Sequence, residues 1–195
     1  MKNVLSLLSM LSAWIIAQTN PWEEKFMAAM NDPKGVSISV EIQQKQFETN
    51  SIQSGTIEIF TDDHYLLDTA TETVHVAGDT IQTWNKVTNQ LIIDQMIEGD
   101  MNIFNLITGD FKNVVFGPPI VGETLVAMDY DIPIMGYSGK MTILKNGQPK
   151  NIKIKYGPNQ SVDLSVNSFT KGKIVLYHTF SPRAMEVIEI GRAHV

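Results

Sequence analysis

The chain has 195 residues, 43% hydrophobic and 18% charged, enough to bury one core and form one globular domain. Fifteen Lys and Arg stand against 21 Asp and Glu, a net charge of −6, which excludes a nucleic-acid partner because no basic surface is available to displace counterions from phosphates. There is no cysteine, so disulfides, thiolate nucleophiles, thiolate-bound metals and a lipid anchor on an N-terminal cysteine are all ruled out.

Residues 1–17 read as a secretory signal peptide. Lys2 supplies the positive start, the run from Val4 to Ile16 is apolar apart from serines, and Ala17 offers the small residue before a cut placed between Ala17 and Gln18. That run is roughly 13 residues, short of the ~20 that a membrane-spanning helix needs. The expected destination is the periplasm, and the expected domain covers 18–189.

Asn20 can cap a helix whose first residue is Pro21, with Glu23 and Glu24 in the first turn where the helix dipole favours negative charge. Trp22, Phe26, Ala29 and Met30 share one face of it, and Asp32, Pro33 and Gly35 stop it after about Asn31. From Val36 the period becomes two. Val36, Ile38, Val40 and Ile42 alternate with Ser37, Ser39, Glu41 and Gln43, so one face of this strand is apolar and the other wet. Ile57 and Ile59 around Glu58, Tyr65 with Leu67, and Val74 with Val76 continue the pattern. Further strands are expected around 81–87, 90–96, 123–128, 139–144, 152–156, 161–166 and 173–180, about 11 in all. Connections are short, with Asn146-Gly147 the clearest hairpin turn, so the sheet is expected to be mainly antiparallel.

One segment breaks this rhythm. Met101, Phe104, Asn105 and Thr108, with Ile103, Leu106 and Ile107, follow helical spacing up to a cap at Gly109, which predicts a short helix over 101–108 that is apolar nearly all round. Such a helix is buried or touches lipid. The last residues, 190–195 (Ile-Gly-Arg-Ala-His-Val), resemble a translated sequencing adapter; they are expected to be non-native, the true C-terminus having been lost in assembly.

No catalytic constellation emerges. His64, His75, His178 and His194 lack metal-binding spacing, so no metal and no cofactor is expected. Gly136-Tyr137-Ser138-Gly139-Lys140-Met141 lies between strands and reads as a turn rather than a nucleophile elbow or phosphate loop. Asp129 and Asp131 read as a solvated sheet edge beside Pro133, and Trp22 and Trp84 as core or lid aromatics. The expectation is a protein that is not an enzyme.

Several of these segments stand in a recognisable order. Gly55-Thr56-Ile57-Glu58-Ile59, then His64-Tyr65-Leu66-Leu67, then Ala77-Gly78-Asp79-Thr80-Ile81-Gln82-Thr83-Trp84, the helix near 102–108, and Phe180-Ser181-Pro182 through Val187-Ile188-Glu189 resemble the LolA family of outer-membrane lipoprotein carriers over nearly the whole chain beyond the signal. Ala77, Gln82 and Ala184 depart from the family's usual Asp, Trp and Gly, and Thr61 stands near the place of an arginine that helps latch the family's lid. The resemblance implies an incomplete barrel, a strongly curved antiparallel sheet whose concave face is covered by the N-terminal helix and the short lid helix. It implies an acyl-chain cavity lined by Trp22, Phe26, Met30, Ile38, Val40, Ile57, Ile59, Tyr65, Leu67, Phe104, Leu106 and Ile107. Met27, Met30, Met101 and Met128 would let such a pocket refit to differently shaped chains. The implied partners are acylated lipoproteins, an inner-membrane lipoprotein-releasing transporter and an outer-membrane acceptor, served by a periplasmic monomer. The alternatives are a periplasmic sensor of lipid or lipoprotein with the same fold and, further off, an envelope lipid hydrolase.

Overall fold

The computed structural model describes residues 20–96 and 103–190. The signal segment 1–17, Met101 at the start of the expected lid helix, and 191–195 of the expected foreign tail lie outside the described residues.

Helix α1 (Pro21–Met30) is followed by six strands, β1 (Val36–Gln46), β2 (Thr49–Thr61), β3 (His64–Thr69), β4 (Glu72–Ala77), β5 (Thr80–Asn85) and β6 (Gln90–Gln95). Helix α2 (Ile103–Thr108) leads through the short strands β7 (Val115–Phe116) and β8 (Ile120–Val121) to β9 (Leu125–Ile132), β10 (Tyr137–Leu144), β11 (Pro149–Gly157) and β12 (Gln160–Lys171). A last helix, α3 (Leu176–Thr179), precedes β13 (Glu186–Glu189). All the strands join one sheet of 13, in the order β13-β6-β5-β4-β3-β2-β1-β12-β11-β10-β9-β7, with β8 also paired to β9. The sheet is open and curved, an incomplete barrel of mostly β structure.

Period-two patterning sets the register because a slip of one residue would turn every apolar side chain to water. Apolar rows therefore run across the strands. Val36, Ile59, Tyr65, Val76 and Ile81 are successive cross-strand partners, as are Ile42, Leu164, Ile152, Met141 and Met128. Register shifts at Ser39/Val40, Ile59/Thr61, Thr142/Ile143 and Lys155/Gly157 add bulges, which bend a strand and increase its twist. Gly139 opposes Tyr130, and a side chain there would run into the Tyr130 ring and the Lys153 carbonyl. Tyr130 fills the gap and its hydroxyl donates to the Lys153 carbonyl at 2.9 Å.

The expected antiparallel sheet is present, with one exception at its edge, where β13 runs parallel to β6. Ile190, assigned above to the foreign tail, extends this ladder by donating its N–H to the Ile93 carbonyl at 2.8 Å. The count rises from about 11 to 13 because β7 and β8 are two residues each, too short to alternate, and exist by covering the outer edge of β9. The strand expected over 173–180 is a correction. Gly172 turns at φ 73°, and the Glu58 carboxylate accepts the N–H groups of Val175 and Tyr177, each at 2.9 Å, so the chain coils into α3 instead. The 145–148 turn also differs from the two-residue hairpin expected. Only Gly147 has positive φ, and the Asn146 side chain accepts from the Gln148 N–H at 3.1 Å.

Candidate functional site

The apolar face of the sheet carries two helices. In α1 the Asn20 side chain accepts from the Trp22 N–H at 3.1 Å, which fixes the helix start and turns Phe26, Ala29 and Met30 inward, all buried. Trp22 is half-buried beneath the Lys25 ammonium, 4.1 Å from its ring centre. In α2, Ile103, Leu106 and Ile107 are buried, and Phe104 stacks on Tyr65 with ring centres 5.7 Å apart. The helix ends where Gly109, at φ 91°, and Asp110 both donate to the Asn105 carbonyl, which satisfies an orphan carbonyl.

These elements gather all twelve residues of the expected lining into one cluster. Phe26, Met30, Ile38, Val40, Ile57, Ile59, Tyr65, Leu67, Leu106 and Ile107 are buried in it, with Trp22 and Phe104 packed against it. The cluster extends much further than the expectation. Val126, Met128, Tyr130, Ile132, Met141, Ile143, Ile152, Ile154, Leu164 and Val166 belong to it as well, so the far half of the sheet is as apolar as the near half. Their alternation along β9 to β12 was the available signal. Phe111 and Phe116 gave no periodic signal, yet they bridge the halves: Phe26, Phe111, Phe116 and Tyr130 form a chain of ring contacts 5.3, 5.1 and 5.9 Å apart.

The surroundings are dry. Burial pushes the phenols of Tyr65 and Tyr156 up to about 12 and that of Tyr130 higher still, so none serves as a base near neutral pH. A cleft of about 360 Å³ opens beside the cluster, where the C-terminal ends of α1 and α2 meet the end of β2. Met27, Met30, Ile59, Phe60, Thr61 and Thr108 are among its walls. Thr61, at the edge of this cleft, donates its hydroxyl to Asp63 at 2.6 Å. Asp129 and Asp131 are exposed on the outer face, where Asp129 pairs with Lys140 at 3.2 Å.

On the opposite face of β2 to β4, the turn into α3 is pinned by Glu58, which is buried there. His75 stacks against Tyr177 and Phe180, with ring centres 4.8 and 4.7 Å away, and His64 bonds Asp63 at 2.8 Å. Among the described residues no group of three or more His, Asp or Glu is placed to hold a metal, and no helix is long and apolar enough to cross a membrane.

No protein-family model and no curated protein matches the chain. Solved structures do match. An uncharacterized conserved protein from Thermus thermophilus aligns over 87% of this chain and 98% of its own, with TM-score 0.58 and 10% identity. A LolA superfamily protein from Nitrosomonas europaea aligns over 83% of this chain and 96% of its own, with TM-score 0.50 and 8% identity. The architecture is that of an open, curved sheet with two helices on its apolar face. More narrowly, the chain has the LolA-type fold.

Proposed function

We propose that this protein is a periplasmic carrier that holds lipoprotein acyl chains against the concave face of its sheet and shuttles them from the inner to the outer membrane. The observation that carries this reading is α2. Its buried side chains and Phe104 roof an apolar sheet, and a cleft already opens at its C-terminal end. An acyl chain offered to this surface replaces one set of apolar contacts with another, and each methylene withdrawn from water contributes about 0.8 kcal/mol. Release demands that the exchange be nearly balanced, which a short apolar lid over a flexible, Met-containing wall permits.

Under this reading residues 1–17 direct export and are removed, the carrier domain begins at Gln18, and the protein works as a monomer. It meets an inner-membrane transporter that releases lipoproteins and an outer-membrane acceptor. The chemistry is binding and transfer without a covalent step. Mass spectrometry of the protein recovered from its own host tests this. Copurified acylated peptides or lipoproteins are the expected result, whereas turnover of an added envelope lipid, or recovery free of acyl chains under mild extraction, would overturn it.

A further inference from the structure

The two ends of the sheet differ. Five turns lie at one end, 47–48, 70–71, 86–89, 133–136 and 158–159, and the turns 62–63, 78–79, 122–124 and 145–148 lie at the other. The latter hold only Asp, Glu, Gly, Lys, Asn, Gln and Thr, with exposed Ile120, Val121 and Leu125 confined to the strand ends flanking the 122–124 turn. At the first end, large apolar side chains stand in water: Phe47 is 63% exposed, Val87 76% and Ile134 72%, each on a different turn. Met185, 87% exposed, joins them, because its N–H donates to the Asn89 carbonyl of the 86–89 turn at 2.9 Å.

Phe47 is wrong for its position by folding criteria alone. Its φ is 55°, a left-handed conformation that strains a bulky residue and suits Gly or Asn, and its ring faces solvent. Its N–H donates to the Asn159 carbonyl at 2.8 Å, so the ring is held on a fixed tip. Strain retained at an exposed aromatic points to a use outside the fold.

We propose that this rim docks on the headgroup layer of a lipid bilayer, with Phe47, Val87, Ile134 and Met185 inserting shallowly. The spacing favours lipid. These side chains stand singly on separate turns, several strands apart at about 4.8 Å per strand, with polar residues between them. A fluid surface accepts separated points, whereas a protein partner needs one contiguous patch. The charge fits a neutral headgroup layer too, since the five turns hold one acid, Glu48, and one base, Lys86, in a chain of net charge −6. The proposal concerns the outer rim and goes beyond the carrier reading, since docking does not depend on what the concave face holds.

The test is flotation with phosphatidylcholine vesicles, using protein recovered from an exporting host and with the same N-terminus verified in every sample. Wild type is expected to float, at low and high salt alike. Phe47→Ser, Val87→Ser and Ile134→Ser combined should weaken flotation at least about tenfold, while Asp79→Ser with Gln148→Ser at the other end leaves it unchanged. Phe47→Asn alone gives a second arm: it relieves the strained φ, so melting temperature should rise while flotation falls severalfold. Wild type that does not float, flotation of the rim variants equal to wild type, or an equal fall in the opposite-end variant would each overturn the proposal. The rim variants should keep wild-type binding of a fluorescent fatty acid, and its loss would place the rim in the cargo site and overturn separate docking. Failure of every protein to bind that probe would sink the carrier reading and leave the flotation result standing.

Discussion

Two short helices lie on opposite faces of the sheet and are held by different physics. α2 meets Tyr65 and the sheet mainly through apolar side chains, Ile103, Phe104, Leu106 and Ile107. α3 is pinned by direction: a buried carboxylate, Glu58, accepts two backbone N–H groups at its start, and His75 lies against Tyr177 and Phe180. Apolar contact is indifferent to its partner, so under the carrier reading α2 would exchange the sheet for an acyl chain at little net cost. Hydrogen bonds to a buried carboxylate have no such substitute in lipid. On the carrier reading proposed above, α2 is the element expected to open and α3 the one expected to stay fixed.

The largest effect expected on this contrast comes from Glu58→Ala. Two backbone N–H groups lose a buried, charged acceptor, and chemical denaturation should show a loss of about 2–3 kcal/mol. Because α3 lies away from the concave face, binding of an acyl probe by the folded fraction should change little. A comparable loss of probe binding would mean that the two faces act as one.

Acidification should loosen the same fixed face by a smaller amount. Burial, with the nearby His64 second, holds the His75 pKa below its ordinary value. The unfolded chain then binds the proton more readily than the folded one, so this contribution is complete above about pH 6.5 and is lost as pH falls through the lowered folded value. Melting temperature followed from pH 8 to pH 5 should fall more steeply in wild type than in His75→Phe, which keeps the stacking and cannot titrate. Parallel slopes would remove His75 from the account. The smallest effect belongs to the lid. Phe104→Leu keeps an apolar roof and should move stability by less than about 1 kcal/mol in a thermal melt, since the ring is only partly buried.

The same contrast explains what could be read from the sequence. Apolar contact leaves a periodic trace, so α1 and the alternation along β1 to β4 were legible before any fold was known, and the twelve residues that the family resemblance implied as a lining lie in one apolar cluster. Directed contacts leave none. Glu58 alternates with Ile57 and Ile59 like any solvent-facing residue, and only the return of the chain at 172–180 buries it. For the same reason the apolar run Ile174-Val175-Leu176 reads as a strand, although the capping carboxylate makes it a helical turn. β7 and β8 owe their pairing to the edge of β9 rather than to their own residues. The far half of the core was legible in β9 to β12 but was not singled out by the family resemblance, which is carried by segments of β2 to β5, the lid and the C-terminal stretch.

The claim that α2 is an openable lid over a lipid-binding face is tested most directly by Phe104→Asp. A carboxylate set against Tyr65 and the apolar sheet costs several kcal/mol if it stays buried, and lifting α2 avoids that cost more cheaply than unfolding 13 paired strands. Far-ultraviolet circular dichroism should therefore match wild type, while titration with a fluorescent fatty acid should show binding weakened about tenfold or more. Wild-type affinity in a folded variant would contradict the lid, and global unfolding would reduce Phe104 to ordinary core.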